Sequence, residues 1–192
     1  MRIDVFDFDG TIYDGDSTVD CLRFALRERP WLAVCLLPPL LFSLPSLVTR
    51  RFSLTAFKSG LFAALARRID LNDLGRRFWA DEETRSRVGG WFLARERRHP
   101  VVIASASPDF ELRWAAQWLR ADALICTRCD PKTGRLIGEN CKSSEKIRRI
   151  REELGDAAYA SMFTDDPKAD GPLLTLAEER YLVTHGQVTR LD

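Results

Sequence analysis

Three short, mostly apolar runs that each break off into polar residues constrain this chain most. Ile3 to Phe8 runs into Asp9-Gly10-Thr11, Val101 to Ala104 into Ser105, and Ala160 to Phe163 into Thr164-Asp165-Asp166. Short runs rich in β-branched and aromatic residues and closed by turn formers read as buried strands. Ala123 to Cys126 and Tyr181 to Thr184 are weaker runs of the same kind. Between them, Asp109 to Leu119 carries Phe110, Trp114 and Trp118 at helical spacing, and Ser144 to Leu154 carries Ile147, Ile150 and Leu154. Strands alternating with helices predict an α/β fold, a Rossmann-like parallel sheet covered on both faces, with ligands bound beyond the carboxyl ends of its strands. The polar residues that close the three runs fall at such ends. The Trp114 and Trp118 spacing reads as core packing.

Residues 16–85 break this alternation and read as helices, with a proline-interrupted apolar stretch and no clear strand. The expected organisation is therefore a core of residues 1–15 and 86–192 with a helical cap, 16–85, inserted after the first strand. Within the cap, Trp31 to Val48 is nearly free of charge, but Pro38, Pro39 and Pro45 weaken any reading as a membrane span. Arg27 and Arg29 precede it and Arg50 and Arg51 follow it. That pattern suits peripheral membrane contact through residues 27–51, with basic residues at the headgroups. The competing reading is that two cap helices pack on each other and the prolines mark their junction.

A chain of 192 residues suits one domain with a small insertion. Its 29 basic and 28 acidic residues leave a net charge of +1, so no global field draws it to nucleic acid. No protein partner is indicated. The five cysteines, Cys21, Cys35, Cys126, Cys129 and Cys141, read as free thiols of a reducing compartment, although Cys126 and Cys129 have the spacing of zinc ligands. Acidic residues follow the first methionine at once, unlike a signal peptide, so the expected location is cytoplasmic or peripheral at the inner membrane face.

The chemistry concentrates where Asp7 and Asp9 stand two residues apart at a strand end, both aimed to one side by extended geometry, before a glycine that permits a sharp turn. Asp7-Phe8-Asp9-Gly10-Thr11 resembles the first motif of haloacid dehalogenase-type hydrolases. Ser105 resembles the second, Lys146 within Asn140 to Ile147 the third, and Thr164-Asp165-Asp166-Pro167-Lys168-Ala169-Asp170 the fourth. The resemblance covers nearly the whole chain and is closest to the phosphoserine-phosphatase-like branch, which also includes membrane-associated phosphatidylglycerophosphate phosphatases.

That resemblance implies a phosphomonoesterase requiring Mg²⁺, with Asp7 as nucleophile and Asp9 as the acid and base that serves leaving group and water. The second aspartate favours phosphoester over carbon–halogen cleavage, since dehalogenase members generally lack it. Gly10, Thr11, Ser105, the backbone at Ala106, and Lys146 would hold the phosphoryl oxygens, with Lys142 a competitor for the lysine role. Metal would be held by Asp7, the Asp9 carbonyl and the fourth motif, where Asp165 and Asp166 compete for direct contact and Asp170 orients waters. Asp16 falls where phosphoserine phosphatases usually have a glutamate that meets the substrate amine, but no partner arginine is evident. The apolar stretch between arginines points instead to a lipid phosphate, and both substrates stay open. The different-class alternative is a silent phosphate-binding or membrane-docking protein on the same fold.

Overall fold

The computed structural model describes residues 1–39 and 53–192. Seven strands form one sheet in the order β4-β3-β2-β1-β5-β6-β7. Strand β1 (Arg2–Phe6) pairs in parallel with both β2 (Val101–Pro108) and β5 (Ala158–Thr164). Parallel pairing continues outward to β3 (Ala123–Cys129) and β6 (Ala177–Thr184). The short β4 (Leu136–Ile137) and β7 (Gln187–Leu191) close the edges in antiparallel fashion. All five expected strands form, and β4 and β7 are additional. β7 is mostly exposed, so it lacks the buried apolar run that marks the others.

The chain moves from β1 through β2 to β3 on one side, then returns to place β5 against the other side of β1. Strand order therefore reverses beside β1, which leaves a crevice at its carboxyl end. Asp7 stands there because Phe6 is the last strand residue and the Asp7 amide still donates to the Phe163 carbonyl on β5 at 2.9 Å.

Alternation along β1 splits the core. Phe6 packs with Ile103, Phe110, Leu112, Trp79 and Phe92 on one face, whereas Ile3 and Val5 pack with Val102, Ile150, Met162 and Leu173 on the other. Each such fully buried side chain contributes about 1.5–3 kcal/mol relative to exposure.

The regular elements described between β1 and β2 are helical: α1 (Ser17–Glu28), α2 (32–39), α3 (Leu54–Ala66), α4 (Leu71–Ala80), α5 (Glu82–Ser86) and α6 (Gly90–Ala94). Asp16, Ser53, Asp70 and Asp81 start four of them by accepting backbone N–H bonds in the first turn. Helix α4 lies on α7 (Asp109–Trp118) at Gly75, where any Cβ would overlap the Phe110 carbonyl. The expected boundaries of α7 and α8 (Ser144–Leu154) agree with the structure to within a residue. A short α9 (Gly171–Leu174) follows the fourth motif.

Of the stretch Trp31 to Val48, residues 40–48 lie outside the described residues, as do Arg50 and Arg51. In α2, Leu32 and Leu36 are buried while Val34 and Leu37 are 68% and 51% exposed, and Trp31 just before the helix is 51% exposed. No helix among the described residues is long and apolar enough to cross a membrane. All five cysteines are free thiols.

Candidate active site

The loop after β1 is held by its apolar residues. Phe8 is fully buried, stacked on Tyr13 and edge-on to Trp79, and its carbonyl accepts the amides of Thr11, Ile12 and Tyr13. The Gly10 amide returns to the carbonyls of Tyr13 and Gly15, with Gly10 at φ +75°, a region glycine enters without strain. With Phe8 buried between them, Asp7 and Asp9 are both left half-buried.

Lys146 joins the first and fourth motifs. Its Nζ donates to Asp7 Oδ1 at 2.9 Å and to both oxygens of Asp170 at 2.8 and 3.0 Å. Lys146 is buried and Lys142 is exposed, which decides between the two lysines as to burial in the cluster. Helix α8 is anchored for this purpose by a buried pair one turn on: Arg149 Nε meets Glu145 at 2.7 Å, and its two terminal nitrogens donate to the carbonyls of Cys126 and Glu139. Asp170 is buried and also accepts from Thr164 Oγ1 at 2.9 Å.

One ammonium therefore faces several carboxylates. Burial pushes the Asp7 carboxyl up to about 7, with Lys146 opposing and the charges of Asp170 and Asp9 adding. Burial alone would lower Lys146, but Asp7 and Asp170 outweigh it and hold the ammonium above its ordinary range. Among the described residues, no hydrogen bond engages Asp7 Oδ2.

Asp9 is fixed from two sides. Its Oδ1 accepts the Ser17 amide at 2.7 Å from the first turn of α1, and its Oδ2 accepts Ser107 Oγ at 2.6 Å and Ser105 Oγ at 3.4 Å. Burial raises the Asp9 carboxyl, and the bonds from Ser107 and Ser17 pull it back. Neither serine caps α7, which has no side-chain cap among the described residues, and Ser105 Oγ accepts the Ser107 amide at 3.0 Å. Ala106 lies in the irregularity where β2 shifts register against β3, its carbonyl held by Thr127 Oγ1 at 2.9 Å.

In the fourth motif the neighbouring aspartates diverge. Asp165 Oδ1 accepts Thr11 Oγ1 at 3.2 Å, and its carboxylate lies over Gly10. Asp166 turns back on its own loop, with Oδ1 accepting the amides of Lys168 and Ala169 at 3.2 and 3.0 Å. Asp16 is exposed and caps α1 through the Val19 amide at 2.9 Å. Sequence reasoning overlooked Ser17, Thr18 and Glu111 and assigned Ser107 no part in the site. Ser17 and Thr18 directly follow the Asp16 cap, and Glu111 lies among the apolar residues of α7, a position where a carboxylate needs partners.

A mostly parallel sheet covered on both faces, with carboxylates and a lysine gathered where strand order reverses, defines a Rossmann-like α/β protein with its candidate site at the topological switch point. The chain belongs to the haloacid dehalogenase-like hydrolase family, which matches residues 5–174. It is 30% identical over 191 residues to Protein CicA of Caulobacter vibrioides, covering 95% of this chain and 86% of that protein. A protein of unknown function from Bordetella pertussis has a similar structure, with TM-score 0.71 and 20% identity over 93% of this chain and 88% of its own. A probable phosphoserine phosphatase from Vibrio cholerae shares the fold at TM-score 0.55 and 10% identity, over 94% of this chain and 55% of its own.

Proposed function

We propose that this chain is a Mg²⁺-dependent phosphomonoester hydrolase in which Asp7 is the nucleophile. The observation that carries this reading is the pairing of Asp7, held at one oxygen by Lys146 with the other unbonded among the described residues, with Asp9 fixed by Ser107 and Ser17. In the first step Asp7 Oδ2 forms a bond to phosphorus, the bond to the leaving oxygen breaks, and Asp9 gives that oxygen a proton. In the second, water attacks the aspartyl-phosphate, Asp9 takes its proton, and Asp7 is released as carboxylate. Lys146 offsets the negative charge brought by the phosphate, and Ser105 donates to a phosphoryl oxygen.

The donor set suits a hard divalent cation, because the carboxylates of Asp7, Asp9 and Asp170 outnumber the one ammonium beside them. No three His, Cys, Asp or Glu side chains among the described residues form a ready cluster. Mg²⁺ needs none, since it often takes one or two carboxylates and keeps several waters. Asp7, the Asp9 carbonyl and Asp165 would hold it, and when bound it would neutralise charge between nucleophile and phosphate.

We read the inserted residues 16–85 as the cap that selects substrate, and a lipid phosphate as the favoured substrate over a phosphoserine-like one. The exposed Trp31, just before α2, and Val34 and Leu37 on it recur at i, i+3 and i+6 and present an apolar stripe suited to a membrane interface. Asp16 is engaged as a helix cap, which weakens the amine-binding role. Arg27 is ion-paired with Glu83 and Asp81, so it is not a free headgroup contact. Hydrolysis of an aryl phosphate with and without Mg²⁺ tests the activity. No turnover in either condition rejects it, and a panel of lipid and soluble phosphates then ranks the substrates.

A further inference from the structure

Glu111 is fully buried on α7, and the chemistry proposed above makes no use of it. Its Oε1 lies 3.1 Å from Ser17 Oγ and 3.0 Å from Thr18 Oγ1, while Oε2 has no hydrogen-bond partner among the described residues. Thr18 Oγ1 also lies 3.0 Å from Ser107 Oγ, and Ser107 Oγ lies 2.6 Å from Asp9 Oδ2. Four oxygens thus stand in line from Glu111 through Thr18 and Ser107 to Asp9.

Each hydroxyl supplies one proton. Ser107 spends its proton on Asp9, so its contact with Thr18 requires the Thr18 proton. Thr18 then has none left for Glu111, and that 3.0 Å contact requires a proton from Glu111. With both carboxyls ionised, one of the three contacts would set two oxygens together with no hydrogen between them. Ionisation costs more at the drier end, and Glu111 is fully buried whereas Asp9 is half-buried.

We propose that Glu111 is a positioning residue that rests as the neutral acid, orients the hydroxyls of Thr18 and Ser107 toward Asp9, and thereby fixes the acid–base group in its working rotamer. Burial, with the Asp9 charge adding, pushes its carboxyl up to about 8, against the hydroxyls of Thr18 and Ser17 and the more distant Lys58. The same residue ties the first turn of α1 to α7, so the amide and the hydroxyl that hold Asp9 are placed by one buried carboxyl. This inference rests on the acid–base role of Asp9.

Steady-state and single-turnover hydrolysis of an aryl phosphate should be compared for wild type, Glu111→Gln, Glu111→Met and Thr18→Val, each with a thermal melt. Gln with its amide nitrogen in the place of Oε1 can donate one N–H to Thr18 and the other to Ser17, so kcat should stay within about 3-fold of wild type. Met removes the donor at similar length, so kcat should fall about 10- to 100-fold with KM little changed. Thr18→Val should show the same loss, and the double variant Glu111→Met with Thr18→Val no further loss, because both cut one chain. If Glu111→Met fails to fold, Thr18→Val carries the test. Wild-type kcat per folded molecule in Glu111→Met or Thr18→Val overturns the proposal, as does a Gln variant as impaired as the Met one. A wild-type protein that hydrolyses no phosphomonoester removes the enzymatic reading and this one together, whereas an active wild type with an unaffected Met variant removes only this one.

Discussion

The Asp165 carboxylate occupies the space that a side chain on Gly10 would need, so the turn after β1 and the loop after β5 close against each other through a missing Cβ. Gly10→Ala meets both that overlap and a φ of +75°. The variant should lose about 1–3 kcal/mol of stability and at least about tenfold in activity. Thermal melts and kcat measure the two effects, and a variant with wild-type values for both would show that this contact is soft.

Asp165 faces the first motif through Thr11, while Asp166 is used by its own loop. Asp165→Asn should therefore raise the Mg²⁺ concentration for half-maximal activity at least about tenfold, and Asp166→Asn by less than about threefold. The reverse ranking in Mg²⁺ titrations would assign the direct contact to Asp166.

Asp7→Asn keeps Oδ1 for Lys146 but removes the nucleophilic charge, so turnover should drop at least about 10³-fold in a folded protein. Its stability should also report the crowding of charge. A carboxyl lifted by folding from 3.8 to about 7 contributes stability while protonated and loses it as pH rises through that interval. Wild type in chelator should therefore melt lower at pH 8 than at pH 5.5 by more than Asp7→Asn does. The difference should be several degrees, at about 2–4 °C per kcal/mol for a chain of this size. Equal pH slopes for the two proteins would place the strain elsewhere.

Asp9→Asn should slow both formation and hydrolysis of the aspartyl-phosphate by about 10²- to 10⁴-fold, because one group serves both proton transfers. Rapid-quench single turnovers separate the steps. An effect confined to one step would mean that another group serves the other.

Vesicles containing anionic lipid should sediment the protein at low salt and release it as salt rises, since basic residues near a charged surface are screened over about 10 Å at 0.1 M. Val34→Glu should abolish sedimentation with an unchanged melting temperature, because Val34 is 68% exposed and a charge there costs the fold little. Full sedimentation by that variant would exclude the α2 stripe as the contact.

Local pattern carried much of this protein. The apolar runs that break off at Asp9, Ser105 and Thr164 specified strands and put polar groups at their ends, because a buried strand has a composition that a single sequence displays. The periodicity of Ile147, Ile150 and Leu154 likewise gave α8 to its residue bounds. Tertiary structure alone chose Lys146 over Lys142 for burial, since that choice depends on how Arg149 and Glu145 seat α8 against the Cys126 carbonyl in the middle of β3. It also separated Asp165 from Asp166, whose backbones are adjacent but whose carboxylates turn to different partners. The line from Glu111 through Thr18 and Ser107 to Asp9 spans about a hundred residues of chain. No local spacing encodes it, because hydrogen bonds between distant segments exist only after packing has brought α1 and α7 together.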